Sequence, residues 1–282
     1  MENAIEIRNL CKHYPSFTLD NVNITLPKGY IMGFIGANGR GKSTTISALL
    51  GLVNPDSGTC LINGKSITQM TKAEKAQIGV VLDECNFPEN LNYRQIDRFM
   101  KKLYTGWDSE KFLSQCKAYG LPEKNTVYKY SKGMKMKLSI AAAMCHGAKT
   151  LILDEATGGL DPVVREEILD MLLDFVQDEE NSVFISSHII SDLEKICDYI
   201  TFIRDGRIVF TEEKDALTEK YGILHCTNSD FEKVDKSAVI SYRSNSFGTD
   251  ALVYRDRIGD GYIVDKANIE DIMLYHVKEG ER

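Results

Sequence analysis

Three short stretches carry residue types at spacings suited to phosphate chemistry. Gly36-Ala37-Asn38-Gly39-Arg40-Gly41-Lys42-Ser43-Thr44 fits the pattern of glycine, four variable residues, then Gly-Lys-Ser. Its glycines let successive backbone N–H groups converge on phosphate oxygens, Lys42 supplies a point charge, and the Ser43 hydroxyl is a ligand type for Mg²⁺. Thr150-Leu151-Ile152-Leu153-Asp154-Glu155 is an apolar run ending in two carboxylates. Asp154 is placed to hold a Mg²⁺-bound water, and Glu155 to meet an attacking water. Ser186-Ser187-His188 closes the next apolar run, where a neutral imidazole reaches a γ-phosphate.

These residues need strands and helices that bring them together. Tyr30 to Ile35 is a near-continuous apolar run, the pattern of a strand buried on both faces. Similar runs follow at 78–82, 151–153, 182–186 and 199–203. Helical patterns separate them, as in 162–179 with Val163, Ile168, Leu169, Leu172, Leu173 and Val176 on one face. A mostly parallel α/β sheet follows. Ahead of it, Ala4 to Ile7 and Asn21 to Leu26 alternate like half-exposed antiparallel strands. Between about 86 and 144 the strand signal disappears, and Ile96, Phe99, Met100 and Leu103, then Phe112, Leu113, Cys116 and Tyr119, recur at helical spacing. This predicts a helical insertion. Asp205-Gly206 between two apolar runs predicts a type I′ hairpin. Beyond Phe210 the pattern predicts a helix over 212–221, strands over 238–242 and 251–254, and a closing helix over 268–278.

Composition narrows the possible partners. The 34 Lys and Arg against 41 Asp and Glu leave a net charge of −7, which excludes a general binder of nucleic acid or anionic lipid. No apolar run approaches the roughly 18 residues a membrane helix needs, and the N-terminus lacks the order of a signal peptide, so a cytoplasmic chain is expected. The 7 cysteines show no C-x-x-C spacing and read as reduced thiols.

In this order and spacing, the residues resemble the ATP-binding-cassette (ABC) ATPases over about 1–210, leaving 211–282 as an accessory α+β extension. The resemblance implies a P-loop NTPase core with an N-terminal antiparallel β-subdomain and the helical subdomain inserted at about 86–144. It assigns Asn38 to Thr44 to the phosphates, Tyr14 to stacking on adenine, and Glu155 and His188 to catalysis. Ser43, Asp154 and Asp83 fall to Mg²⁺. Ser131-Lys132-Gly133-Met134 looks like the family's signature, and Asp161 belongs to the loop between protomers. In that family two ATPase units meet head to tail, so that the signature of one completes the ATP site of the other.

The sequence also departs from the family pattern. Asp83 stands where glutamine is usual, Lys132 where glycine is usual, Met134 where glutamine is usual, and Gly158 where serine is usual. Arg40 replaces a small residue and either adds a phosphate contact or, the preferred reading, points to solvent. The single cassette with its tail most resembles ATPase subunits of bacterial peptide and antibiotic exporters. That resemblance implies ATP as substrate, a separate membrane permease, a second ATPase subunit (identical or different), no nucleic acid, and a place at the inner face of the membrane. Alternatives are a DNA-repair or ribosome-associated ABC ATPase and a regulatory cassette that only binds ATP. The permease is expected to dock beside Asp83, with Phe87 and Leu91 presented on the loop.

Overall fold

The computed structural model describes residues 2–259 and 261–278. The chain divides between Phe210 and Thr211 into two compact units. In the first, β1 (Asn3–Tyr14), β2 (Phe17–Pro27) and β4 (Ser57–Ile62) form an antiparallel sheet in the order β2-β1-β4. The segment β4 carries Gly58 and little apolar alternation, so no strand signal stands out there.

The central strand β3 (Ile31–Ile35) is buried at every position and is followed by α1 (Lys42–Leu49) and α2 (Lys72–Lys75). It lies between β7 (Ser182–Ser187) and β8 (Tyr199–Arg204), parallel to both. The remaining strands of this sheet are β5 (Ile78–Val81), β6 (Thr150–Asp154) and β9 (Arg207–Glu213), and the order is β5-β6-β7-β3-β8-β9. In register, Ile35 pairs with Ser187 and Asp154 with Ser186. Three strand ends, and the loops opening at Gly36, Glu155 and His188, therefore share one edge of the sheet. That edge, at the carboxyl ends of parallel strands, is where α/β sheets bind ligands.

Between β5 and β6 lie α3 (Tyr93–Leu103), α4 (Ser109–Ala118) and α5 (Lys132–Met144), with a core of their own around Ile96, Trp107, Phe112, Val127 and Leu138. The Trp107 indole donates to the buried Asp97 carboxylate at 2.8 Å. Phe99 and Leu103 are exposed, because the buried stripe of α3 runs through Tyr93, Ile96 and Met100. In α6 (Pro162–Phe175), Val163 and Leu173 are likewise exposed while Ile168, Leu169 and Leu172 are buried. Val80 is exposed too, since β5 is an edge strand and not buried on both faces. The first unit also holds α7 (Ile190–Ile196).

Past β9, the strand runs through Glu213, so the predicted helix over 212–221 shrinks to α8 (Lys214–Lys220) and Tyr221 opens β10 (Tyr221–Cys226). A four-stranded antiparallel sheet follows, ordered β11-β12-β10-β13, from β10, β11 (Val239–Ser244), β12 (Thr249–Tyr254) and β13 (Ile263–Lys266). Leu224, Phe231, Ala251 and Val253 form its core, with α9 (Asn228–Phe231) and α10 (Ile269–Lys278). The strands β10 and β13 were missed because one contains a glycine and the other is a short, exposed edge.

Asp205 and Gly206 both have positive φ, at 48° and 77°, as a type I′ turn requires. The turn packs on β2, where Asp20 N donates to Gly206 O at 2.9 Å and a Cβ on Gly206 would overlap the Thr18 carbonyl. Gly64 has nearly the same φ, 78°, with nothing within 4 Å of a Cβ. Gly64→Ala should therefore cost about 1 kcal/mol, from strain alone. Gly206→Ala should cost at least about 2 kcal/mol more. Urea midpoints of the two variants measure this, and equal losses would contradict the described packing.

Candidate functional site

Glycine is required at both ends of the 36–41 loop. A Cβ on Gly36 would lie 2.7 Å from Ile203 O. Gly41, at φ 113°, would place one 2.6 Å from Leu19 and 2.9 Å from Phe17. These contacts set the start of α1, and Lys42 turns its side chain back across the loop. Its Nζ donates to Gly36 O at 2.6 Å and Ala37 O at 3.4 Å, with only 4% of the residue exposed. Asn38, Gly39, Arg40 and Ser43 are exposed, and Thr44 is half-buried. The Arg40 guanidinium is in solvent, as expected, and pairs with Asp205 in the β8–β9 turn.

The acidic strand end meets this loop from the side. Asp154 Oδ1 accepts from Ser186 Oγ at 2.5 Å, and Glu155 N donates to Ser186 O at 3.2 Å and to Ser186 Oγ at 3.1 Å. Held so, Glu155 adopts φ 53°, a left-handed conformation that costs a non-glycine residue about 1–2 kcal/mol. Its carboxylate bridges two groups: Oε1 is 3.1 Å from Lys42 Nζ, and Oε2 is 2.6 Å from His188 Nδ1. Burial pushes the Glu155 pKa up, but Lys42 first and His188 second outweigh it, and the net shift is downward. An ionised carboxylate only accepts, so Nδ1 of His188 carries the proton in this pair, and in the neutral ring Nε2 is left as an acceptor.

Other expected site residues lie elsewhere on the first unit. Ser131 caps α5, its Oγ accepting from Met134 N at 3.2 Å, and Met134 packs on the helical core. A Cβ on Gly133 would lie 2.7 Å from Val164 of α6, so glycine there lets the two helices close. Lys132 Nζ donates to Gly158 O at 2.7 Å. Asp161 caps α6, accepting from Val163 N and Val164 N at 3.1 Å. Tyr14 is exposed at the end of β1, paired with Phe17, whose ring abuts Gly41. Asp83 is exposed and shares a recess with Glu89, Tyr130, Lys132 and Lys135. Phe87 and Leu91 are half-buried: they pack against the helical core, and Phe87 keeps part of its ring in a recess with Val80, Met100 and Tyr104.

Sequence reasoning missed Ser186 as a site residue, although its position at the strand end, two before His188, was a signal. It also missed the contact between Lys132 and Gly158. Among the described residues no three His, Cys, Asp or Glu side chains form a metal cage. A hydroxyl at Ser43 and a carboxylate at Asp154 suit a hard cation that keeps waters and binds phosphate oxygens.

The ABC transporter family model matches residues 19–158. A bacitracin transport ATP-binding protein of Enterococcus faecalis is 34% identical over 240 residues, covering 84% of this chain and 76% of that protein. A lantibiotic transport ATP-binding protein of Streptococcus pyogenes is 35% identical over 214 residues, covering 75% of this chain and 91% of that one. A solved dimeric ATP-binding cassette in a post-hydrolysis state with ADP and Pi aligns with a TM-score of 0.65 at 21% identity, over 74% of this chain and 98% of its own. That likeness is one of fold.

The electrostatics of Glu155 are directly testable. Because its folded pKa is lowered, the stability it contributes is complete above its unfolded value and is lost as pH falls through the folded one. Lys42→Met removes the larger opposing contribution and leaves burial less opposed. Carboxyl ¹³C NMR should then show Glu155 titrating at higher pH than in the unaltered chain. An unmoved titration would mean that Lys42 does not set its charge.

Proposed function

This chain belongs to the ABC transporter ATP-binding family, and we propose on that footing that two copies pair head to tail around two ATP and drive a separate membrane permease. The observation that carries the reading is the contiguous Lys42–Glu155–His188 set at one edge of the parallel sheet. In the ATP-bound state Lys42 turns from Gly36 O and Glu155 to the β- and γ-phosphates. Glu155, released from its ion pair, accepts a proton from water as the oxygen attacks the γ-phosphorus and the bond to ADP breaks. His188, freed from the same carboxylate, donates a ring N–H to a γ-phosphate oxygen. Ser43 and Asp154 would hold Mg²⁺, which would supply charge neutralisation at the phosphate oxygens.

One chain carries two different halves of a site. The phosphate loop is one half, and the Ser131-capped start of α5 is the other, an anion-binding terminus with no acidic residue in its first turn. Head-to-tail pairing brings each half to its complement. Tyr14 stacks on adenine, and Asp161 holds the loop that lines the interface. Asp83, expected among the ligands of Mg²⁺, shares a recess with Lys132 of the signature, and its further proposed part is to sense the site there.

The relatives named for bacitracin and lantibiotic transport support export of a peptide or antibiotic-like cargo. No helix among the described residues is long and apolar enough to cross a membrane, which agrees with a permease on a separate chain that holds this one at the inner membrane face. A recess lined by Val80, Phe87, Met100 and Tyr104 together with Glu84 and Asn86 offers that permease a seat of mixed apolar and polar character.

Lys42→Ala should weaken ATP binding by at least about tenfold, through loss of a charge-assisted contact. Glu155→Gln should keep ATP binding and lower phosphate release by on the order of 10²–10⁴. A paired, ATP-bound form should then accumulate in size-exclusion chromatography with Mg-ATP. Phosphate release by Glu155→Gln at the unaltered rate would remove Glu155 as the base. For the docking seat, Phe87→Cys should crosslink to cytosolic loops of the permease that co-purifies with this chain. No crosslink at any loop would place the seat elsewhere.

A further inference from the structure

Two positions at which this sequence departs from its family, Lys132 and Gly158, lie 26 residues apart and touch: Lys132 Nζ donates to Gly158 O at 2.7 Å. The same ammonium lies 3.2 Å from where a Cβ on Gly159 would stand, and Gly159 is held at φ 68°. The lack of a side chain at Gly159 thus leaves room for the lysine tip on the loop. The other side of that loop belongs to the site. Gly158 N donates to Glu155 O at 3.0 Å, and a Cβ on Gly158 would lie 3.7 Å from His188 Cε1 and 3.8 Å from Glu155 Oε2.

Lys132 is the first residue of α5, next to Ser131. Its stem therefore starts at the helix end that the proposed pairing presents to the opposite chain's ATP, while its tip rests on the loop beside its own Glu155. We infer that Lys132 is a positioning residue that ties the Gly158 loop, and through it Glu155, to the start of α5 in the same chain. ATP held at that helix start by the opposite phosphate loop then governs hydrolysis at this chain's Glu155. An ammonium has three donors, so holding Gly158 leaves it able to meet a phosphate oxygen as well. In a free chain this exposed contact is weak, and pairing strengthens it by excluding water.

The inference rests on the head-to-tail reading, and mixed dimers separate the two. One copy carries Glu155→Gln, so only the other hydrolyses. Lys132→Met is then placed either on the hydrolysing copy or on its companion. Single-turnover phosphate release should be about tenfold slower in the first arrangement than in the second, the scale of a misplaced catalytic group. Lys132→Arg on the hydrolysing copy should restore most of the rate, which a lysine needed only for folding would not predict. Equal rates in the two arrangements, or slower release in the second, would overturn the inference. If unaltered chain mixed with Glu155→Gln releases no phosphate, the pairing reading falls instead. The tether is then judged in the single chain by amide exchange at Gly158 and Gly159. Exchange should quicken several-fold in Lys132→Met, and unchanged exchange would overturn the tether.

Discussion

A lysine that is 4% exposed has to be compensated where it lies, and much of the first unit is arranged around that requirement. The Lys42 ammonium is met by the Gly36 carbonyl and by the Glu155 carboxylate. Both partners can be in reach only if β3 and β6 end at the same level, and the register through β7 sets that level. The buried ion pair is a poor source of stability, since two charges are desolvated to make one contact. In the proposed mechanism its value lies in being exchangeable: phosphate oxygens replace the carboxylate at Lys42, and the freed carboxylate serves as the base.

Other strained or crowded features follow from the same convergence. Glu155 sits at positive φ because Ser186 fixes both the carboxylate before it and its own N–H. The loop glycines are needed where Ile203, Leu19 and Phe17 close on them. The β8–β9 turn buttresses this end of the sheet, packing on β2 while Asp205 takes Arg40 away from the loop. The Lys132–Gly158 contact joins the start of α5 to the loop following Glu155.

How much of this was legible depended on whether a residue's role is local. The phosphate loop, the apolar strands and the Asp205-Gly206 turn announce themselves, because composition over a few positions dictates backbone shape and burial. The closeness of Lys42, Glu155 and His188 was readable only through the expectation that parallel strand ends share an edge. What the sequence hid was set by tertiary surroundings. Val80 looked buried on both faces until β5 proved to be an edge strand, and Phe87 and Leu91 looked exposed until the helical core covered part of each. Phe99, Leu103 and Val163 sit one step off their buried stripes, a distinction that helical spacing blurs. The contact between Lys132 and Gly158 could not be read from residues so far apart in the chain.

On the proposed head-to-tail pairing, hydrolysis at Glu155 requires a second chain to complete the site. The most direct test is phosphate release per chain, at saturating Mg-ATP, as a function of chain concentration. The expected result is a specific activity that rises with concentration and levels off as pairs form, in step with the mass measured by light scattering. A specific activity that stays constant down to concentrations where only single chains are present would contradict it.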